Sequence, residues 1–168
     1  MFRTIRDVRI PAVPRRRTTA RGAVAAVAVT ASAAAVLLPA QSAGAATGSV
    51  HLYKIYYNSP GTDTRSNASL NAEYVQITNS TSKAVSLKGW TLSDASRHVY
   101  SFGTYTLGAH KTVTVHTGKG GNTAAHRYQG RAAYVWNNDK DTATLRRSGG
   151  GVVDTCAYNS TRVAYKMC

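Results

Sequence analysis

The chain has 168 residues, and 21 Lys and Arg residues against 7 Asp and Glu residues give it a net charge of +14 at neutral pH. This length suits one domain with one hydrophobic core, and the lack of a heptad or internal repeat after residue 45 excludes a coiled-coil rod or a repeat array. The charge favours polyanionic partners, and the alternative is a solvated surface that only keeps the protein soluble.

Residues 1–45 have the order of parts expected of a cleaved signal peptide. A first part with seven arginines and one aspartate precedes an uncharged, alanine-rich run, and Ala43 and Ala45 occupy the small-residue positions before a cleavage site. A membrane anchor is the alternative, but a span needs about 20 strongly apolar residues, and this run is mostly alanine. We therefore expect export by the general route, which leaves residues 46–168 with fourteen basic and six acidic residues, a net charge of +8.

The remaining chain alternates apolar and polar residues with a period of two, as strands with one wet face do. Three stretches show this pattern: VHLYKIYY, EYVQIT and KTVTVHT. Between the apolar runs lie short segments rich in Gly, Asn, Asp and Ser, which are turn formers. About seven or more short strands at this spacing predict an all-β fold, a sandwich or a small barrel.

The segment VSLKGWTL cannot be one straight strand. Val85 and Leu87 have one parity, whereas Trp90 and Leu92 have the other. We therefore expect a bulge or bend at Gly89, and a hairpin partner in the HVYSF segment that follows. The residues predicted to build the core are Val75, Ile77, Leu87, Gly89, Trp90, Leu92, Phe102, Val113 and Val115.

Two cysteines, Cys156 and Cys168, both lie in the part of the chain that we expect to be exported. Disulfides persist in such compartments, so we predict that the two are bonded and tie the C-terminal tail to the last strand. Closing a ring of this size is worth about 3 kcal/mol on the loop-entropy model. Free thiols or a metal site are the alternatives, but no Cys and His cluster accompanies the pair.

No residue set predicts catalysis, a cofactor or a metal site. Glu73 is the only glutamate, and we expect it at a strand end with a backbone or lysine partner. The aspartates fall in turns or at strand ends, the histidines lack zinc-binding spacing, and NNDKD resembles a hairpin turn more than a calcium loop. The one enzymatic alternative is a minimal hydrolase or nuclease built from scattered residues such as Glu73, Asp94 and His98.

The best candidate for a binding surface is the segment HRYQGRAAYVW, in which arginines alternate with tyrosines. Arginine would contact phosphate while tyrosine stacks on a base. The alternative is a glycine-rich loop followed by a core strand. Three other tyrosines, Tyr56, Tyr57 and Tyr165, are also candidates for exposure. The predicted polyanion contacts are Arg127, Tyr128, Arg131, Tyr134, Arg146 and Arg147.

Several motifs resemble, in their order along the chain, those of the lamin-tail domain family. They are EYVQITN, VSLKGWTLSD, YSF, YTLGAHKTVTVHTG, VWNNDKDTATL and GGGVVDTCAY, and the GW-x-L-x-D run is the most specific. The chain differs from the family's pattern at two turns. Ala72 stands where a glycine usually precedes the Glu-Tyr-Val, and GAH stands in place of a proline-glycine turn. The resemblance implies an immunoglobulin-like antiparallel β-sandwich over residues 46–168 that binds or scaffolds and does not catalyse.

Three functions are consistent with these observations. The first is an exported, noncatalytic binding module for nucleic acid or an anionic cell-envelope polymer, at the envelope or outside the cell. The second is a protein-protein interaction module, or an inhibitor-like structural protein, that docks an extracellular protein. The third is the minimal hydrolase or nuclease, which the absence of a catalytic set disfavours.

Overall fold

A computed structural model describes residues 49–168, and the predicted signal peptide lies outside the described residues. The regular elements of this part are eleven strands and one short helix, joined by turns and loops. The elements are β1 (Val50–Tyr56), α1 (Asn67–Ala72), β2 (Tyr74–Asn79), β3 (Val85–Ser86), β4 (Thr91–Ser93), β5 (Val99–Ser101), β6 (Thr106–Leu107), β7 (Thr112–His116), β8 (His126–Tyr128), β9 (Lys140–Arg146), β10 (Val152–Asn159) and β11 (Tyr165–Met167). In this part of the chain no helix is long and apolar enough to cross a membrane.

Two sheets pack on each other, as the predicted immunoglobulin-like sandwich requires. One has five strands in the order β11-β1-β2-β7-β8, the other has four in the order β10-β9-β4-β5, and β3 pairs with β6 in a third, two-stranded sheet. The pairs are antiparallel, as predicted, with the exception of β7 and β8, which run parallel at one edge of the five-stranded sheet. The alternating apolar residues of both sheets meet in one buried cluster.

A bulge in β1 explains why Leu52 and Ile55, three residues apart, are both fully buried. The pairing with β2 shifts register between Leu52 and Lys54, so the side chains return to the same face after an odd number of residues. The carboxylate of Asp154 on β10 accepts a hydrogen bond of 2.9 Å from the Leu52 N–H. Besides its local bond to Thr155, this aspartate therefore joins the two sheets at the bulge.

The bend expected at Gly89 is present as a tight turn. Gly89 has φ of +75°, in the left-handed region, and Trp90 N–H donates to the Leu87 carbonyl over 2.9 Å. A Cβ at Gly89 would also lie 3.0 Å from the Cβ of Ser148. The turn changes which alternate side chains point inward, so Leu87 and Trp90, three residues apart, both reach the core.

Helix α1 was not predicted, because six residues are too few to show a helical period. The Ser66 hydroxyl caps it by accepting from the Ser69 N–H, and Leu70 anchors it in the interior.

The expectation of an exposed Tyr57 was wrong. Its ring is fully buried and stacks on Tyr158, with 3.8 Å between ring centroids.

The predicted disulfide between Cys156 and Cys168 is present. Cys156 lies on β10, at the edge of the four-stranded sheet, and Cys168 follows β11, at the edge of the five-stranded sheet. The bond therefore fastens the two sheets together where their free edges meet. It also holds the C-terminal strand, which is only three residues long, against β1.

Candidate binding surface

The six predicted polyanion contacts lie in two separate places. Arg127 and Tyr128 are on β8, the edge strand of the five-stranded sheet, and Arg131 and Tyr134 follow in the next loop. Arg146 is on β9 in the other sheet, and Arg147 begins the adjoining turn. The two groups thus belong to different sheets.

Each arginine with a described contact touches an uncharged group. The Arg127 guanidinium lies 4.0 Å above the centre of the Tyr105 ring, a cation–π contact. Arg131 donates to the Val99 carbonyl and Arg146 to the Gly150 carbonyl, each over 3.1 Å. Within residues 49–168 the one ion pair joins Asp94 to His98, so none of these arginines is neutralised by a carboxylate there.

Five aromatic side chains form a row across the outer face of the five-stranded sheet. The residues stand directly opposite one another in register, one on each strand. We call this set the aromatic row: Tyr165, Tyr56, Tyr74, His116 and Tyr128. Because side chains alternate along a strand, these rings point away from the buried face that carries Val75 and Val115.

Neighbouring rings of the aromatic row touch along its whole length. Ring centroids are 6.1 Å apart for Tyr165 and Tyr56, 5.3 Å for Tyr56 and Tyr74, and 4.9 Å for His116 and Tyr128. Tyr74 meets His116 edge to face at 5.9 Å. Such cross-strand aromatic pairs each contribute about 0.5–1.5 kcal/mol, and the rings remain partly exposed to solvent.

Hydrogen bonds fix the protonation of His116. Its Nδ1 lies 2.7 Å from the Asn71 carbonyl, which can only accept, so Nδ1 carries the proton. Its Nε2 then accepts from Nδ1 of the exposed His126, 2.9 Å away. Burial lowers the pKa of His116, the Asn71 bond opposes that shift, and the charge of His126 adds to it. His116 is therefore neutral at pH 7, whereas His126 presents its free Nε2 to solvent.

Next to the aromatic row lies a depression of about 160 Å³ that we call the cationic pocket. Arg65, Lys119 and Arg131 line it, together with Asn67, Leu70 and Ala132. No carboxylate is among the lining residues, and none pairs with these cations in the described part of the chain. The sequence singled out Arg131 alone, because Arg65 and Lys119 lie more than fifty residues apart and only the fold brings them together.

The loop that carries Lys119 is held by side chains of α1. Asn67 donates to the Lys119 carbonyl over 2.9 Å and accepts from its N–H over 2.7 Å, and Asn71 donates to the same carbonyl. The adjacent Gly120 lies against Tyr128, since a Cβ there would be 2.5 Å from the ring. Asn71 and Gly120 thereby connect the cationic pocket directly to the aromatic row.

The residues of the enzymatic alternative do not form one hydrogen-bonded site. Asp94 pairs with His98 over 2.6 Å, as a carboxylate beside a turn. Glu73 is fully buried and accepts from the Thr117 hydroxyl over 2.6 Å and from the Val135 N–H over 2.9 Å. The expected backbone partner of Glu73 is thus present, and a hydroxyl takes the place of a lysine.

The pattern of the Lamin Tail Domain family matches residues 43–160. The match covers more than half of the chain and agrees with the resemblance seen in its motifs. It ends before β11, so Tyr165 at one end of the aromatic row lies beyond the matched residues. None of the curated proteins compared with the chain matches it.

Proposed function

We propose, from the premise that the chain belongs to the lamin tail domain family, that it is an exported, noncatalytic module that binds an anionic polymer. Family membership indicates an immunoglobulin-like binding or scaffolding module. Export rests on the signal peptide predicted in residues 1–45, and it places the ligand among nucleic acids and anionic polymers of the cell envelope. The observation that carries the proposal is a row of partly exposed aromatic rings beside cations that have no carboxylate partner in the described chain.

The charge of the five-stranded sheet supports an anionic ligand. Its five strands contain no Asp or Glu, and the face of the aromatic row carries Lys54 and three histidines. Lys166 and Arg127 stand opposite the buried Ile55 and Val115, so they belong to the other face of the sheet. Lys54 lies over the ring of Tyr165, with its nitrogen 4.6 Å from the ring centre, and so adds a cation to one end of the aromatic row. An anion that approaches this face meets no opposing carboxylate on the strands themselves.

The aromatic row supplies a second kind of contact. Single-stranded nucleic acids bind to surfaces on which cations follow the backbone and aromatic rings stack on bases, at about 1–3 kcal/mol per base. The row crosses four inter-strand spacings and is therefore about 19 Å long. A flexible polymer can contact several rings at once, which a small ligand cannot do.

The proposal is tested by titrating residues 46–168 with a fluorescent oligothymidylate and with a glycerol-phosphate polymer at several salt concentrations. We expect the logarithm of the binding constant to fall linearly with the logarithm of salt concentration, with a slope of about −0.7 per phosphate contacted on a single strand. Lys54→Gln with Arg131→Gln should weaken binding and flatten the slope, because Lys54 lies over the ring of Tyr165 and Arg131 lines the cationic pocket. Arg146→Gln with Arg147→Gln, on the other sheet, is the matched control and should change little.

Two results would contradict the proposal. One is binding that does not respond to salt, and the other is equal weakening by both double substitutions, which would indicate a general effect of charge. Lys88→Gln serves as a further control, because Lys88 is exposed at the turn before Trp90, away from the five-stranded sheet. Circular dichroism of each variant would establish that the fold is intact.

A second candidate function is the binding of an extracellular protein. Three of the exposed large apolar side chains, Tyr53, Tyr165 and Met167, lie on the neighbouring strands β1 and β11. A protein that docks there would bury apolar surface, and its affinity would be nearly independent of salt. Salt dependence therefore separates the two functions in the same titration.

A further inference from the structure

We infer that the cationic pocket binds a phosphate monoester, the terminal phosphate group of the polymer whose remaining length lies along the aromatic row. The inference rests on the proposed function only for the polymer, since the pocket itself can be tested with small phosphates. A phosphorylated end of a nucleic acid and one of an envelope polymer share this chemistry.

The charge of the pocket matches a monoester better than an internal diester. A phosphate monoester carries about −1.5 to −2 charges at neutral pH with three strong acceptor oxygens, whereas a diester carries a single charge. Arg65, Lys119 and Arg131 line one small depression, and none of them has a carboxylate partner in the described chain. The Arg131 guanidinium donates one hydrogen bond to the Val99 carbonyl, and its four other N–H donors have no partner among the described residues.

The walls of the pocket are held in place before a ligand arrives. The bonds from Asn67 and Asn71 fix the backbone of Lys119 against α1. This close approach requires Gly118, because a Cβ there would lie 2.5 Å from Asn71 Oδ1. Binding therefore needs little ordering of the main chain, which reduces its entropic cost.

The position of the pocket sets the direction of the polymer. Lys119 is followed by Gly120, which lies against the ring of Tyr128 at the β8 end of the aromatic row. A phosphate in the pocket thus places the next unit of the polymer beside Tyr128 and His116. A terminal phosphate fits this arrangement because Tyr128 lies on the edge strand β8, and from there the row continues across the sheet in one direction only.

The test compares three oligothymidylates of equal length, with a 5′-phosphate, with a 3′-phosphate and with hydroxyls at both ends. We expect one terminal phosphate to raise the affinity by at least about tenfold, the effect of a few charge-assisted hydrogen bonds. Lys119→Gln and Arg131→Gln should each remove most of this gain while the hydroxyl-ended strand still binds. Lys88→Gln should leave the gain intact, and Tyr56→Leu should weaken all three strands alike.

Equal affinity for the three strands, with salt-dependent binding retained, would overturn the inference and leave the proposed function standing. If no oligonucleotide binds, the pocket is judged by titrating inorganic phosphate and glycerol 3-phosphate against the amide resonances of Lys119 and Arg131. Saturable shifts that Arg65→Gln abolishes would support the pocket without the nucleic acid, and their absence would refute it. Glycerol 3-phosphate and a nucleoside 5′-phosphate are then compared as competitors for the pocket. The stronger competitor indicates whether the phosphate belongs to an envelope polymer or to a nucleic acid.

Discussion

Replacement of Glu73 by Gln should stabilise the protein at neutral pH. Glu73 is fully buried, and its Oε2 has no partner among the described residues. Burial raises its pKa from 4.5 to about 7, against the opposing effect of hydrogen bonds from Thr117 and Val135. Between pH 4.5 and pH 7 the folded protein keeps the proton on Glu73, whereas the unfolded chain loses it. The contribution of this carboxyl to the free energy of unfolding is therefore complete below pH 4.5 and falls as the pH rises towards 7. The shift corresponds to about 3 kcal/mol.

Urea unfolding of the wild type and of Glu73→Gln between pH 4 and pH 8 measures this effect. The wild type should lose about 3 kcal/mol of unfolding free energy relative to the Gln variant between pH 4 and pH 8, so that the variant is the more stable protein at high pH. Groups such as His116 titrate in both proteins, so their contributions to the difference in unfolding free energy cancel. Ser82→Ala, at an exposed side chain without a titratable group, is the control and should show almost no change with pH. A constant difference for Glu73→Gln would refute the assignment of the pH dependence to this carboxyl.

Three further predictions concern stability and protonation. Joint replacement of Cys156 and Cys168 by Ser should cost about 3 kcal/mol of unfolding free energy, and an unchanged urea midpoint would show that the tail needs no covalent tie. Asp154→Ala should cost about 1–3 kcal/mol, because the buried N–H of Leu52 loses its acceptor, and a loss within error would mean that water replaces the carboxylate. Nitrogen NMR of His116 should show Nδ1 protonated at pH 7 and titration below pH 6.5, whereas a proton on Nε2 would contradict the hydrogen-bond direction.

The buried faces of the sandwich could be predicted from local pattern. Val75, Ile77, Val113 and Val115 alternate with polar residues, and burial of one face is sufficient to produce that pattern. The bend at Gly89 also followed from the sequence, since two parities in one segment require a change of direction. These features depend on neighbours within a few positions of the chain.

The proposed binding surface could be predicted only in part, because it depends on which strands become neighbours. Tyr128 was identified, but its place in the aromatic row comes from pairing with β7, whose order in the sheet no local pattern reveals. Arg127 was expected to reach a ligand, yet it lies over Tyr105, a partner more than twenty positions earlier. Nothing in the sequence marks Lys119 except the glycines around it. Its proposed role in the cationic pocket depends on α1, the helix that the sequence did not predict.

The parallel pairing of β7 and β8 has a consequence for how the binding surface can vary. Two parallel neighbours cannot be joined by a tight hairpin, so the chain between His116 and His126 must travel back along the sheet before β8 begins. That return segment carries Lys119 and Gly120. If the proposed surface binds a polymer, a change in the length or sequence of this segment should alter which ligand is bound, while the two sheets and their core keep their structure.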